Sequence, residues 1–105
     1  MSNWSYYNTY KIHTNHIHQY HCSDGPALIS YDGDFMEYWV HGLRHRLDGP
    51  ATITKSDGIE LWFINGKNVT HEMIEWSKEM GIDLNNLTED DKILIQIKWE
   101  NYKGK

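Results

Sequence analysis

The rhythm of apolar and polar positions changes along the chain. In the middle, PALISYDGDFMEYWV places two short runs of aromatic and branched residues on either side of Asp32-Gly33, a dipeptide that tolerates the positive φ angles of a tight turn. A β-hairpin is expected there. In the last third the spacing becomes helical: Met73, Trp76, Ser77 and Met80 share a face with Ile74 beside it, Thr70 stands as N-cap, and Gly81 is placed to end the helix. A second helix is predicted in LTEDDKILIQIKWENYK, where Thr88 and Asp91 make a capping-box-like start and acidic residues suit the helix dipole. Ile93, Ile95, Ile97 and Trp99 also alternate as in a strand. Read as a helix, Ile93, Leu94 and Ile97 form one apolar side and Ile95, Trp99 and Tyr102 another. A lone helix on a sheet cannot bury both, so either both sides are core or Trp99 and Tyr102 meet another chain.

A repeat organises the middle of the chain. HCSDGPALIS from His21 and HRLDGPATIT from His45 share the histidine, the Asp-Gly-Pro-Ala block and the following isoleucine at a spacing of 24. Each block leads to an Asp-Gly pair, Asp32-Gly33 and then Asp57-Gly58, and to an aromatic strand ending in Gly42 or Gly66. In Asp24-Gly25-Pro26 and Asp48-Gly49-Pro50 glycine permits an unusual backbone and proline starts a strand where a missing N–H is tolerated. These aspartates read as turn residues rather than catalytic carboxylates. Two units are fewer than the three or so that normally sustain an array, so the N-terminal segment and the helices are expected to cap the ends.

The segment GLRHRLDGPATITKSDGIELWFINGK resembles the HRxDGPA variant of the MORN-type repeat, stacked β-hairpins found in proteins of large bacteriophages and giant viruses. The likeness covers about Tyr20 to Lys67 and rests on His45-Arg46, Asp48-Gly49-Pro50-Ala51 and Asn65-Gly66-Lys67. It departs at Cys22-Ser23, which stand where the second unit has Arg46-Leu47, and at His41, where the pattern favours asparagine. The resemblance implies a binding or scaffold role and no catalytic residues. The expected class is α+β: an antiparallel meander of MORN-like hairpins followed by one or two C-terminal helices.

At 105 residues the chain fits a single domain. Its expected parts are a strand or hairpin over 1–20, two hairpin repeats over 21–67 and a helical cap over 68–105. Ten basic against fifteen acidic residues give a net charge of −5, which gives no support to nucleic-acid binding through a broad basic face. With one cysteine there is no internal disulfide, and no signal segment or membrane span is evident. A cytoplasmic location is expected, that of the host if the protein is viral. Five tryptophans and seven tyrosines supply large apolar area for a small core or a contact surface.

The stretch HTNHIHQYHC, from His13 to Cys22, gathers four histidines and the cysteine. His16 and His18 alternate about Ile17 and would share a strand face, a spacing that can supply two zinc ligands. His21 is already explained as the counterpart of His45, and no partner pair completes the set. The expectation is no metal, no cofactor and no enzymatic activity; a metal-dependent enzyme using this stretch is the alternative least favoured.

The function expected is that of a small binding protein, a phage-type accessory protein that binds or inhibits a host macromolecule, with a host protein as the expected partner. Arg44 and Arg46 lie between the repeats beside Tyr38-Trp39, residue types enriched at interface hot spots. These four, with Trp99 and Tyr102, are the candidate partner-binding residues. A small nucleotide-like ligand, stacked on an aromatic and neutralised by arginine, is the alternative, and a homo-oligomer is left open.

Overall fold

Ten short antiparallel strands followed by two helices make up the α+β fold of residues 3–103, described by a computed structural model. The strands are β1 (Trp4–Tyr6), β2 (Tyr10–His13), β3 (Leu28–Ser30), β4 (Phe35–Glu37), β5 (Trp39–Val40), β6 (Leu43–Arg44), β7 (Thr52–Thr54), β8 (Ile59–Leu61), β9 (Phe63–Ile64) and β10 (Lys67–Asn68). Six form one sheet in the order β1-β2-β3-β4-β7-β8, and β5-β6 and β9-β10 are separate two-stranded hairpins.

The expected hairpin at Asp32-Gly33 is β3-β4. Gly33 takes φ +75°, while Asp32 Oδ1 accepts hydrogen bonds from Asp34 N–H and the Ser30 hydroxyl. Each repeat also contains a second hairpin. At His41-Gly42 and Asn65-Gly66 both residues have positive φ, 49° and 81° in one pair and 49° and 83° in the other, as the tight turn between two short strands requires.

The period of 24 is a period of backbone hydrogen bonds. Ala27 N–H donates to Glu37 O as Ala51 N–H does to Leu61 O, and Cys22 N–H donates to Trp39 O as Arg46 N–H does to Phe63 O. Ala27 and Ala51 are fully buried, so a larger side chain would have to displace its neighbours.

The N-terminal segment extends this arrangement. β1-β2 pairs onto β3, and its end repeats the later ladder: His13 N–H to Ala27 O matches Tyr38 N–H to Ala51 O, and His21 N–H to His13 O matches His45 N–H to Tyr38 O. It therefore supplies a divergent third unit. The expectation that His16 and His18 share a strand face fails here. Asn15 Oδ1 accepts from both Ile17 and Gln19 N–H, which curls the chain and puts His18 at φ 64°.

Helix α1 (Thr70–Met80) and helix α2 (Glu89–Tyr102) close the chain. The N-cap of α1 is Val69, without a side-chain bond, and not Thr70 as expected. The Thr70 hydroxyl instead accepts from Trp62 N–H and donates to Asn68 Oδ1, tying the helix start to the last repeat. Gly81 ends α1 in the left-handed conformation. In α2, Thr88 Oγ1 accepts from Asp91 N–H and Asp91 Oδ2 from Thr88 N–H. This reciprocal cap favours helix over the competing strand pattern.

The core lies at the helical end. Trp62, Ile64 and Val69 pack with Met73, Trp76, Ile82, Ile95 and Trp99, and Leu47, Met80, Leu84, Leu87 and Tyr102 close around them. Burying each large apolar side chain contributes about 1.5–3 kcal/mol.

Candidate functional site

Arg46 serves its own turn. Its guanidinium lies 3.9 Å from the Tyr38 ring centroid, pairs with Asp48 at 2.9 Å and donates to Pro50 O at 3.0 Å. It also covers Gly49, where a Cβ would come within 2.5 Å of Arg46 Cζ. In the first unit Cys22 takes the corresponding place, its thiol donating to Asp24 Oδ1 at 3.1 Å. Burial pushes the Cys22 thiol pKa up, away from the thiolate that nucleophilic chemistry needs.

Arg44 lies between the Trp39 and Phe63 rings, 5.3 and 5.0 Å from their centroids. It pairs at 3.3 Å with Glu37, whose side chain is 8% exposed. Glu37 also accepts from Trp39 Nε1–H at 3.1 Å and from the Thr52 hydroxyl at 3.4 Å. Sequence reasoning missed Glu37, although the period makes it the counterpart of Leu61 and makes Arg44 the counterpart of Asn68. An acid at an otherwise apolar repeat position was the available signal.

Trp99 and Tyr102 belong to the packing between helices. Trp99 is buried, which withdraws it from the expected partner surface. Tyr102 packs edge-on against Trp76, accepts from Lys67 Nζ at 2.9 Å and donates to Glu72 Oε2 at 2.8 Å. The bond from Tyr102 lowers the pKa of Glu72 and the bond to Lys67 raises that of the lysine. The opposite side of α2 carries the exposed apolar residues: Ile93, Leu94 and Ile97 are 55%, 42% and 53% exposed. Their common side was legible in the sequence. Which of the two apolar sides would face the core was not.

The histidine stretch is engaged with backbone. His13 Nδ1–H donates to His21 O at 2.6 Å, and His21 Nδ1 accepts from His41 N–H at 3.1 Å. The second repeat uses the same device, His45 Nδ1 accepting from Asn65 N–H at 3.0 Å. His16 and His18 are exposed on the turn after β2. Among the described residues, no three His, Cys, Asp or Glu side chains are grouped as a metal site.

A polar groove of about 390 Å³ runs between the two Asp-Gly-Pro turns, lined by Cys22, Asp24, Tyr38, His45, Arg46 and Asp48 among others. Among the described residues no helix is long and apolar enough to cross a membrane. Together these features define an α+β meander of hairpins closed by a helical pair, with an exposed apolar face on α2. Comparison of the chain with known protein families, curated proteins and solved structures finds no match.

Proposed function

We propose that this chain is a small non-enzymatic binding protein whose outward face on α2 seats in an apolar groove of a larger protein. The observation that carries this reading is the stripe of Ile93, Leu94 and Ile97, on the side of the helix opposite buried Ile95 and Trp99. Neighbouring exposed apolar side chains on one helix face are what helix-in-groove recognition uses. Glu89, Asp90 and Asp91 at the start of α2, on a chain of net charge −5, favour a groove with a basic rim. The phage resemblance supplies the setting, a host protein bound or inhibited by a viral accessory protein in the host cytoplasm.

The expected roles of Arg44 and Arg46 change accordingly. Each guanidinium already faces a carboxylate, so neither is held in reserve for a nucleotide phosphate, and the ligand alternative has less support. The test compares wild type with Ile93→Glu and Ile97→Glu. A protein captured by the wild type is purified and its affinity measured. Each substitution is expected to weaken binding by about tenfold or more, as loss of a hot spot does, with unchanged circular dichroism. Equal affinity of all three for that protein would overturn the α2 reading. Arg44→Ala serves as the comparison for the earlier candidate surface.

A further inference from the structure

The motif that the binding reading leaves unexplained is the histidine opening each repeat. His21 and His45 are 24 residues apart, and each accepts, through Nδ1, the N–H of the residue twenty positions later. The receiving residues, His41 and Asn65, both stand at φ 49°. That conformation is uncommon for residues other than glycine and is held by surrounding contacts. An imidazole accepts at Nδ1 only when that nitrogen carries no proton, which fixes both rings as neutral with the proton on Nε2. Adding a proton turns the acceptor into a donor facing another donor.

From this repeated geometry we infer that His21 and His45 are acid-sensitive latches, whose protonation releases the His41-Gly42 and Asn65-Gly66 turns and loosens β5-β6 and β9-β10. The two latches have different surroundings. His21 faces His41, with ring centroids 4.5 Å apart, and His13, which bonds to its carbonyl; both neighbours oppose a positive charge. His45 shares its groove with Tyr38, Cys22, Asp24, Arg46 and Asp48, and Arg46 and Asp48 are paired with each other. Burial, with repulsion from His41 and His13, lowers the His21 pKa, and burial lowers that of His45, both from an ordinary value of 6.5. Groups depressed in the folded state contribute stability that is complete above the unfolded value, and that is lost as pH falls through the folded one. The latches therefore hold at neutral pH and open on the acid side.

The test is amide hydrogen exchange followed by NMR on the full chain, expressed as protection factors so that the intrinsic pH dependence cancels. Between pH 7.5 and pH 5, protection at His41 and Asn65 should fall by about tenfold, the scale of one lost hydrogen bond. The Ala27 and Ala51 amides of the main ladder should keep theirs. In His21→Asn with His45→Asn, the amide oxygen takes the acceptor position and does not titrate, so protection should persist to pH 5. In His21→Phe or His45→Phe, protection of the matching turn should be low at both pH values. Nitrogen shifts that place the proton on Nδ1 at pH 7.5 would overturn the inference. So would constant wild-type protection, or an equal acid loss in the asparagine variant. If the phenylalanine variants do not fold, the wild-type titration and the asparagine variant decide the question.

Discussion

The two repeat units share a backbone and differ in what covers it. Trp62, Ile64 and Leu47 of the second unit are core or packed against core, under α1 and α2. Their counterparts at the period of 24 are Tyr38, Val40 and Ser23, which line the groove between the Asp-Gly-Pro turns, as half-buried Leu47 also does, and are half-buried or exposed. Arg46 lies over Tyr38 where no helix does, its stem and planar head covering an aromatic face while its charge meets Asp48. The same ladder can thus carry either a core or a polar groove. Neighbouring structure selects between them.

The largest effect should separate these equivalent positions. Trp62→Ala empties a site in the main core and should cost about 3–5 kcal/mol, whereas Tyr38→Ala, at half-buried Tyr38, should cost about 1–2 kcal/mol. Chemical denaturation of the two variants checks the difference, and equal losses would remove the distinction between the units. Next in size is the charge pair. Arg44→Ala leaves Glu37 buried without its cation and should cost about 2 kcal/mol, less than breaking a fully buried pair because Arg44 retains contact with water. Glu37→Leu combined with Arg44→Asn installs the second unit's residues at these two positions and should cost less than Arg44→Ala, because the buried charge leaves with its partner and only the Trp39 and Thr52 donors lose their acceptor. Chemical denaturation of Arg44→Ala and of the double variant measures both.

The smallest effect differs in sign between the units. Gly49→Ala forces the Arg46 guanidinium aside and should cost about 1 kcal/mol through its lost contacts. At Gly25 a Cβ meets nothing within 4 Å, because Cys22 is too short to reach over it. Neither glycine has a positive φ, so Gly25→Ala should be neutral or stabilise by about 0.4–1 kcal/mol by restricting the unfolded chain. Thermal melts of Gly25→Ala, Gly49→Ala and Gly49→Ala with Arg46→Ala resolve the cause, since removing the arginine should abolish the alanine's penalty.

Much of the architecture was legible in the sequence. The Asp-Gly pairs and the period of 24 led to hairpins, and Thr88 with Asp91 led to the start of α2, because turns and caps depend on interactions within a few residues. The N-terminal unit was less legible. Its strands repeat the backbone bonds without the Asp-Gly-Pro-Ala block, and hydrogen bonds between main chains place few demands on side-chain identity. Thr70 reads as a cap in the sequence because its hydroxyl can bond locally, but its actual partner, Trp62 N–H, depends on how the helix docks.

The sequence by itself determined where the chain turns, which segments extend or coil, and that two units share a register, since these follow from local dihedral preference and periodicity. Only the tertiary structure decided which side of α2 is buried, that Arg44 answers a buried Glu37, and that His21 and His45 each hold a turn twenty residues away. Those outcomes rest on burial and on hydrogen bonds between distant segments. They exist only once the hairpins and helices have been brought together.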